Sequence, residues 1–362
     1  MIDSLKIKNF RAFKDFSFER LERVNLITGS NNVGKSALLE ALYLNLVPAK
    51  AITSNLDSNR DESSTQHNLF RGFNESRYNL DNMTKWGWLF HAKDLTKAVE
   101  LVSSGNGSKT QLTMDWWVGS EGLGDIPLMP DISYDDLQSL FLQVRVEKIE
   151  GAHRAEQTWK INRGGGHIPP QPYVFDSTPL RLLFNVYSRS PEEDTKWFSK
   201  LADVGRQDEI VSVLRLIEPR LKSLAVSTSD GPAMIYGDIG LSRRVPMSQM
   251  GEGMVRLLSL VLEITNASGG VVLVDEIENG LHHSVLTKVW RAIGSAARQS
   301  DTQVFATTHS WECIRAAHEA FLQNGTYDFR LHRLERINGD IKAVTYDQKT
   351  LDTSVEMNLE VR

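Results

Sequence analysis

Residues Gly29 to Ser36 read GSNNVGKS and match G-x-x-x-x-G-K-[ST] at every fixed position. Gly29 and Gly34 let the backbone close around a phosphate. The amides of Ser30, Asn31, Asn32, Val33 and, in the first turn of a following helix, Ala37 supply partial positive charge. The Lys35 ammonium then reaches the β- and γ-phosphates of a nucleotide, and the Ser36 hydroxyl is suited to ligate Mg²⁺. Far along the chain, VVLVDE ends an apolar run in Asp275, a candidate for the Mg²⁺ shell, and Glu276, a candidate base for an attacking water. A further apolar run, QVFATTH, ends in Thr307, Thr308 and His309, and a neutral imidazole there donates a hydrogen bond to a γ-phosphate and reports its presence. Each motif alone has a bland reading: a glycine turn with an incidental lysine, an acidic start to a solvated loop, a histidine satisfied in a turn. In this order on one chain they predict an ATPase.

These groups need elements to hold them. LKIKNF and FKDFSFE alternate apolar with polar residues and predict two amphipathic strands; VNLIT predicts a more apolar strand ending at Gly29, and KSALLEALYLNLV a helix beginning at Lys35. Residues 49–82 are polar and aperiodic and predict a long loop or mobile lobe. QLTMDWWVG, LFLQVRVEKIEG and TWKIN predict antiparallel strands, followed by the flexible RGGGHIPPQP. Four of the eight tryptophans fall in KWGWLF and DWWVG, where packing into that β-rich lobe is the expectation, ahead of base stacking or a partner site.

From Pro191 to Ala225, EEDTKWFSKLADVG and DEIVSVLRLIEPRLKSL predict two or three short helices, with Pro219 interrupting the second. PMSQMGEGMVRLL then sets a loop with Ser248, Gly251 and Gly253 before a helix anchored by Leu257, Leu258 and Val261. Such a loop at a helix start is a preformed anion site. Beyond it helix and strand alternate, and VVLVDE and QVFATTH lack polar alternation, as buried parallel strands do.

The totals agree with a globular chain. It has 362 residues with 41% hydrophobic content, enough for two domains or one large α/β domain with an insertion. A net charge of −5 neither demands nor excludes nucleic acid. The single Cys313 rules out an internal disulfide framework and CxxC metal sites, which suits a reducing cytoplasmic setting. The N-terminus lacks the pattern of an export signal, and no apolar run approaches a bilayer span.

The order of phosphate loop, Ser/Gly loop, Asp-Glu strand, ENGLHH and TTHS resembles the ATP-binding-cassette-type heads of the RecF, SMC and OLD families. More narrowly, LKIKNFRAF, GSNNVGKSALLEAL, MGEGMVRLLSL, VDEIENGLHH and FATTHSWECI are similar to the AAA15 and OLD-like ATPases. The resemblance implies an α/β P-loop head: a β-rich N-terminal lobe with the phosphate loop over 1–180, a short helical insertion over 181–235, and a C-terminal parallel-sheet lobe over 236–362. It implies ATP and Mg²⁺ as ligands, with Lys35, Ser36, Asp275, Glu276 and His309 in the Walker A, Walker B, catalytic and switch positions.

Ser248, Gly251 and Gly253 match the signature loop only loosely, since S-Q-M-G-E-G stands where L-S-G-G-Q is usual. Arg11 in NFRAF occupies a region where related heads bring an arginine near the nucleotide, ENGLHH occupies the D-loop, and Gln66 does not define a glutamine loop. Asn279 and His282 are poor candidates for a metal, because adjacent histidines do not converge on one ion.

Partners follow from the same resemblance: a homodimer or higher even-numbered oligomer through ATP-sandwiched heads, and a separate effector, a nuclease or toxin, in an anti-phage defence system. No long coiled coil is present. The residues after His309 read as a hairpin and a helix and are too few for a Toprim domain of on the order of 100 residues. The alternative is a RecF-like DNA-binding ATPase with Arg215, Arg220, Lys222, Arg243 and Arg244 near the groove. A P-loop kinase leaves the Ser/Gly loop and His309 unexplained.

Overall fold

The computed structural model describes residues 1–48, 51, 86–119, 125–129, 140–162, 167–168, 180–183, 191–228, 231–323 and 325–357. Most of the 49–82 segment, with Gln66, and most of RGGGHIPPQP lie outside these residues. The chain opens with β1 (Ser4–Phe10), β2 (Phe13–Glu19), β3 (Val24–Gly29) and α1 (Lys35–Leu46). In β1 the side chains of Leu5 and Ile7 are buried while Lys6 and Lys8 face water, the two-residue period of a sheet with one wet face. Next come β4 (Val99–Gly105), β5 (Ser108–Val118), β6 (Ile126–Pro127), β7 (Leu140–Glu150), β8 (His153–Asn162), β9 (His167–Ile168) and β10 (Leu180–Leu183). Then follow α2 (Pro191–Asp203), α3 (Gln207–Leu214), β11 (Ser223–Ser227), β12 (Met234–Asp238) and β13 (Val245–Pro246). The last third is α4 (Glu252–Asn266), β14 (Val271–Val274), α5 (Leu286–Gln299), β15 (Gln303–Thr307), α6 (Trp311–Gln323), β16 (Phe329–Ile337), β17 (Asp340–Tyr346) and α7 (Gln348–Glu356).

Two large sheets result. The first is antiparallel in the order β2-β1-β4-β5-β7-β8-β9, with β6 paired to β5. The second runs β10-β14-β15-β3-β16-β17 and is parallel except for its last pair. Helix α1 lies between them, touching β4 and β5 on one side and β3, β14 and β15 on the other. That is why Leu38, Leu39, Ala41, Leu42 and Leu44 are all buried: a helix apolar around most of its surface needs cover on two sides. Trp86, Trp116 and Trp159 sit in this core, whereas Trp88 is exposed with the Lys93 ammonium 3.2 Å from its ring centroid.

Successive residues of the parallel strands divide between two cores. Ile27, Val271, Leu273 and Phe305 face α1 and the antiparallel sheet. Leu26, Val272, Val274, Val304 and Ala306 face the opposite core, built with α2, α3, α4, α5 and α6. The helix after the phosphate loop and the helix after the Ser/Gly loop therefore lie on opposite faces of one sheet.

One local expectation changes. The second helical segment stops at Leu214, and the end of the stretch expected to be helical up to Ala225 lies in the strand β11. Pro219 ends the helical path, and Arg215 donates to the carbonyls of Leu221 (2.7 Å) and Lys222 (2.9 Å), fixing the turn. The hairpin expected after His309 joins the parallel sheet: β16 pairs in parallel with β3, Leu334 opposite Gly29. A Cβ on Gly29 would lie 2.5 Å from the Leu334 carbonyl oxygen, and Gly29 holds φ +136°. Gly29→Ala is therefore expected to cost about 1–3 kcal/mol of stability, read as a lowered thermal midpoint together with weakened nucleotide binding. An unchanged melt would show that the β16 edge yields freely.

Candidate active site

The phosphate loop turns at the carboxyl end of β3, in the middle of the parallel sheet, where α/β sheets bind ligands. Asn32 at φ 60° and Gly34 at φ 109° carry the left-handed conformations that wind the loop into α1. The Lys35 ammonium, on a nearly buried side chain, donates to the carbonyls of Gly29 (2.7 Å) and Ser30 (2.9 Å). Burial pulls this amine below its usual range, against the opposing pull of the Asp275, Glu276 and Glu278 carboxylates. Ser30, Asn31 and Asn32 are exposed, Val33 is buried behind the loop, and Ala37 is half-buried in the first turn of α1.

Asp275 and Glu276 follow β14 directly. The Asp275 carboxylate is nearly buried and accepts from the Ser36 hydroxyl at 2.9 Å and from the Thr307 hydroxyl at 2.5 Å. Thr307 in turn accepts from the Glu276 backbone N–H at 2.8 Å. Ends of three strands, β3, β14 and β15, thus bring Lys35, Ser36, Asp275, Glu276, Thr307 and His309 together from distant parts of the sequence. His309 Nε2 lies 3.9 Å from Glu276 Oε1, and its backbone N–H donates to Glu278 at 2.7 Å.

This donor set suits Mg²⁺. Ser36 and Asp275 offer hard oxygens 2.9 Å apart, the one or two protein ligands that an ion bound chiefly by phosphate and water requires. Among the described residues no group of three or more His, Cys, Asp or Glu side chains is arranged to hold a metal. The rings of His282 and His283 lie tilted at 38° to one another with centroids 4.2 Å apart. Cys313 is buried, which pushes its thiol up to about 12, so it stays neutral and unreactive.

Arg11 sits in the turn between β1 and β2, at φ 47°, with Nε 2.7 Å from a Glu40 carboxylate oxygen on α1. Its neighbours Ala12 and Phe13 lie against Gly34, so this turn backs the phosphate loop. Ser248 and Gly251 are exposed ahead of α4, and Gly253 is half-buried beside Leu281. Their loop packs toward residues 276–281 and the small sheet β11-β12-β13. Of the basic residues considered for a groove, Arg215 is engaged with backbone carbonyls, and Arg220 makes a two-point pair with Glu218, one oxygen of which also accepts the Arg220 backbone N–H.

Three further groups shape the site. Thr307 was noted only as a neighbour of His309, yet it bridges Asp275 and Glu276. Asn279 was weighed as a metal ligand, yet its amide holds Glu276 at 2.6 Å. Arg256, nearly buried on α4, donates to the carbonyls of Glu276 and Ile277, each at 3.4 Å. A signal for the last was present: MVRLLSLVL carries one cation inside an apolar helix, and such a charge needs a partner.

Residues 153–314 match a family model described as an AAA domain, whose description also names the AbiEii toxin of a type IV toxin–antitoxin system, and residues 1–79 match a model described as an AAA ATPase domain. The chain is 26% identical over 345 residues to an ATP/GTP phosphatase of Helicobacter pylori, an alignment covering 87% of this chain and 86% of that one. Over 43 residues it is 42% identical to the DNA replication and repair protein RecF of Idiomarina loihiensis, 12% of each chain. Among solved structures, the SMC head domain from Thermotoga maritima aligns at 12% identity with a TM-score of 0.43, over 96% of this chain and 99% of that one.

Proposed function

We propose that this chain, which matches AAA ATPase family models and resembles an ATP/GTP phosphatase, works as a pair of heads that close on ATP and open after its hydrolysis. The observation that carries the reading is the separation of α1 from α4 on opposite faces of the parallel sheet. One head then offers its phosphate loop to its own nucleotide and its Ser/Gly loop to the nucleotide of its partner. Gly251 supports this: it takes φ +98°, and a Cβ there would meet no atom of its own head within 4 Å.

In the reaction, the loop amides and the helix start at Lys35 hold the phosphates, and the Lys35 ammonium neutralises charge on the β- and γ-oxygens. Glu276 takes a proton from the attacking water while the bond from the γ-phosphorus to the bridging oxygen breaks. His309, across from Glu276 Oε1, donates to the γ-phosphate and registers its loss. Ser36 and Asp275 would hold Mg²⁺, which supplies charge neutralisation across the β- and γ-phosphates when bound. Arg11 is released from Glu40 toward the nucleotide, and Ser248 with the amides of Gly251 and Gly253 binds the partner's γ-phosphate.

The output is a conformational signal to a separate effector, a nuclease or toxin, in an anti-phage defence system of the cytoplasm. The toxin–antitoxin description of the matching model supports that direction. No helix among the described residues is long and apolar enough to cross a membrane.

The test is Gly251→Val. Hydrolysis is expected to fall at least tenfold, while titration with ATP shows the phosphate loop binding as before. If the variant binds ATP more weakly as an isolated head, the loop serves its own site and the paired reading fails.

A further inference from the structure

The loop that follows β14 is wound by two tight turns. The Asn279 backbone N–H donates to the Glu276 carbonyl at 3.0 Å, and the Leu281 N–H to the Glu278 carbonyl at 2.9 Å. Glu276 itself holds φ 50°, a left-handed conformation that a residue with a side chain keeps only when its surroundings impose it. Its surroundings do so from two sides, since the carbonyl that accepts from Asn279 accepts also from Arg256 on α4. The residue after Asn279 is fitted closely too: Gly280 takes φ +75°, and a Cβ there would stand 3.2 Å from Glu252 Oε1 in the first turn of α4.

The turn brings the Asn279 side chain back under Glu276, and Nδ2 donates to Oε2 at 2.6 Å. The other carboxylate oxygen, Oε1, is the one that faces His309. We propose that Asn279 is the positioning residue of the Glu276 carboxylate, pinning one oxygen so that the other is aimed at the attacking water. This rests on the reading of Glu276 as the base.

The physical need is plain. The Glu276 side chain is 40% exposed, and unpinned it spreads its carboxylate over many rotamers, few of them within hydrogen-bond reach of one water. Asn279 suits the task because its amide is short, sits on a rigid turn and offers a donor without a charge. Aspartate has the same shape but only acceptor oxygens when ionised, so it repels the oxygen that asparagine holds.

The experiment compares Asn279→Ala, Asn279→Asp, Glu276→Gln and the double variant Asn279→Ala/Glu276→Gln in single-turnover ATP hydrolysis, with ATP affinity titrated separately. Asn279→Ala is expected to lower the hydrolysis rate roughly tenfold, about 1.4 kcal/mol at 1.36 kcal/mol per decade, with affinity within about twofold of the parent. Asn279→Asp, equal in size, should lose at least as much, which a packing role does not predict. On the Glu276→Gln background Asn279→Ala should add no further loss, since a group acting only through Glu276 has nothing left to position. A parental or raised rate in Asn279→Ala, with Glu276→Gln inactive, overturns the positioning role alone. A loss that persists in full on the Glu276→Gln background shows that Asn279 acts elsewhere and also overturns it. Parental hydrolysis in Glu276→Gln removes the base assignment and the inference together.

Discussion

Glu276→Gln is expected to stop steady-state ATP hydrolysis, with kcat lower by on the order of 10²–10⁴-fold, and to leave ATP binding in place. The amide keeps the shape of the side chain and retains an oxygen to accept from Asn279, so the turn at residues 276–279 survives. What disappears is the basic oxygen beside His309. Binding is expected to survive because the glycines, the amides and Lys35 lie on the segment from the last residue of β3 to the first turn of α1, away from Glu276 in sequence. If the heads pair as proposed, blocking hydrolysis keeps them closed, and the variant is expected to run as a dimer in size-exclusion chromatography with ATP but not with ADP. A variant that stays monomeric with ATP removes the pairing, and one that still turns over ATP removes the base.

Lys35→Met is expected to weaken ATP binding by roughly 10- to 100-fold, since a hydrogen bond to a charged group contributes about 1.5–3 kcal/mol. Methionine keeps the length and apolar stem of a side chain that is nearly buried, so the change is chiefly the loss of the ammonium. That ammonium donates to the carbonyls of Gly29 and Ser30, and phosphate oxygens are the stronger acceptors for it because they are charged. Burial also leaves it poorly hydrated, which sharpens its preference for an anion. Calorimetric titration with ATP and AMP separates the effects: loss for ATP with AMP affected little is the expected pattern. Equal affinity for ATP in the variant and the parent would show that the loop amides alone hold the phosphates.

Much of this site was legible because its motifs are local. Eight consecutive residues specify the phosphate loop, since glycine, lysine and serine at those spacings serve one turn and one helix start. VVLVDE and QVFATTH were legible for a related reason: a strand buried on both faces is apolar throughout, so its first polar residues mark where it meets solvent. The helical stretch expected up to Ala225 overruns α3 because LRLIEPRLKSL keeps apolar residues three and four apart on both sides of Pro219, while the helix stops at Leu214 and Ser223–Ser227 is a strand. Periodicity there competed with a single steric fact, and the steric fact prevailed.

By itself the sequence determined the glycine, lysine and serine loop and the strand ends that carry Asp275, Glu276 and His309, because loop, strand and helix start are each encoded within a few residues. Only the tertiary structure decided who holds whom. Arg256 reaches the Glu276 carbonyl from 20 positions away, the Ser36 hydroxyl meets Asp275 from 239 positions away, and the β16 strand closes on Gly29 from near the other end of the chain. Nothing in local spacing encodes such contacts. They arise where buried polar groups, brought into one core by the packing of two sheets and a helix layer, must find hydrogen-bond partners among whatever the fold sets beside them.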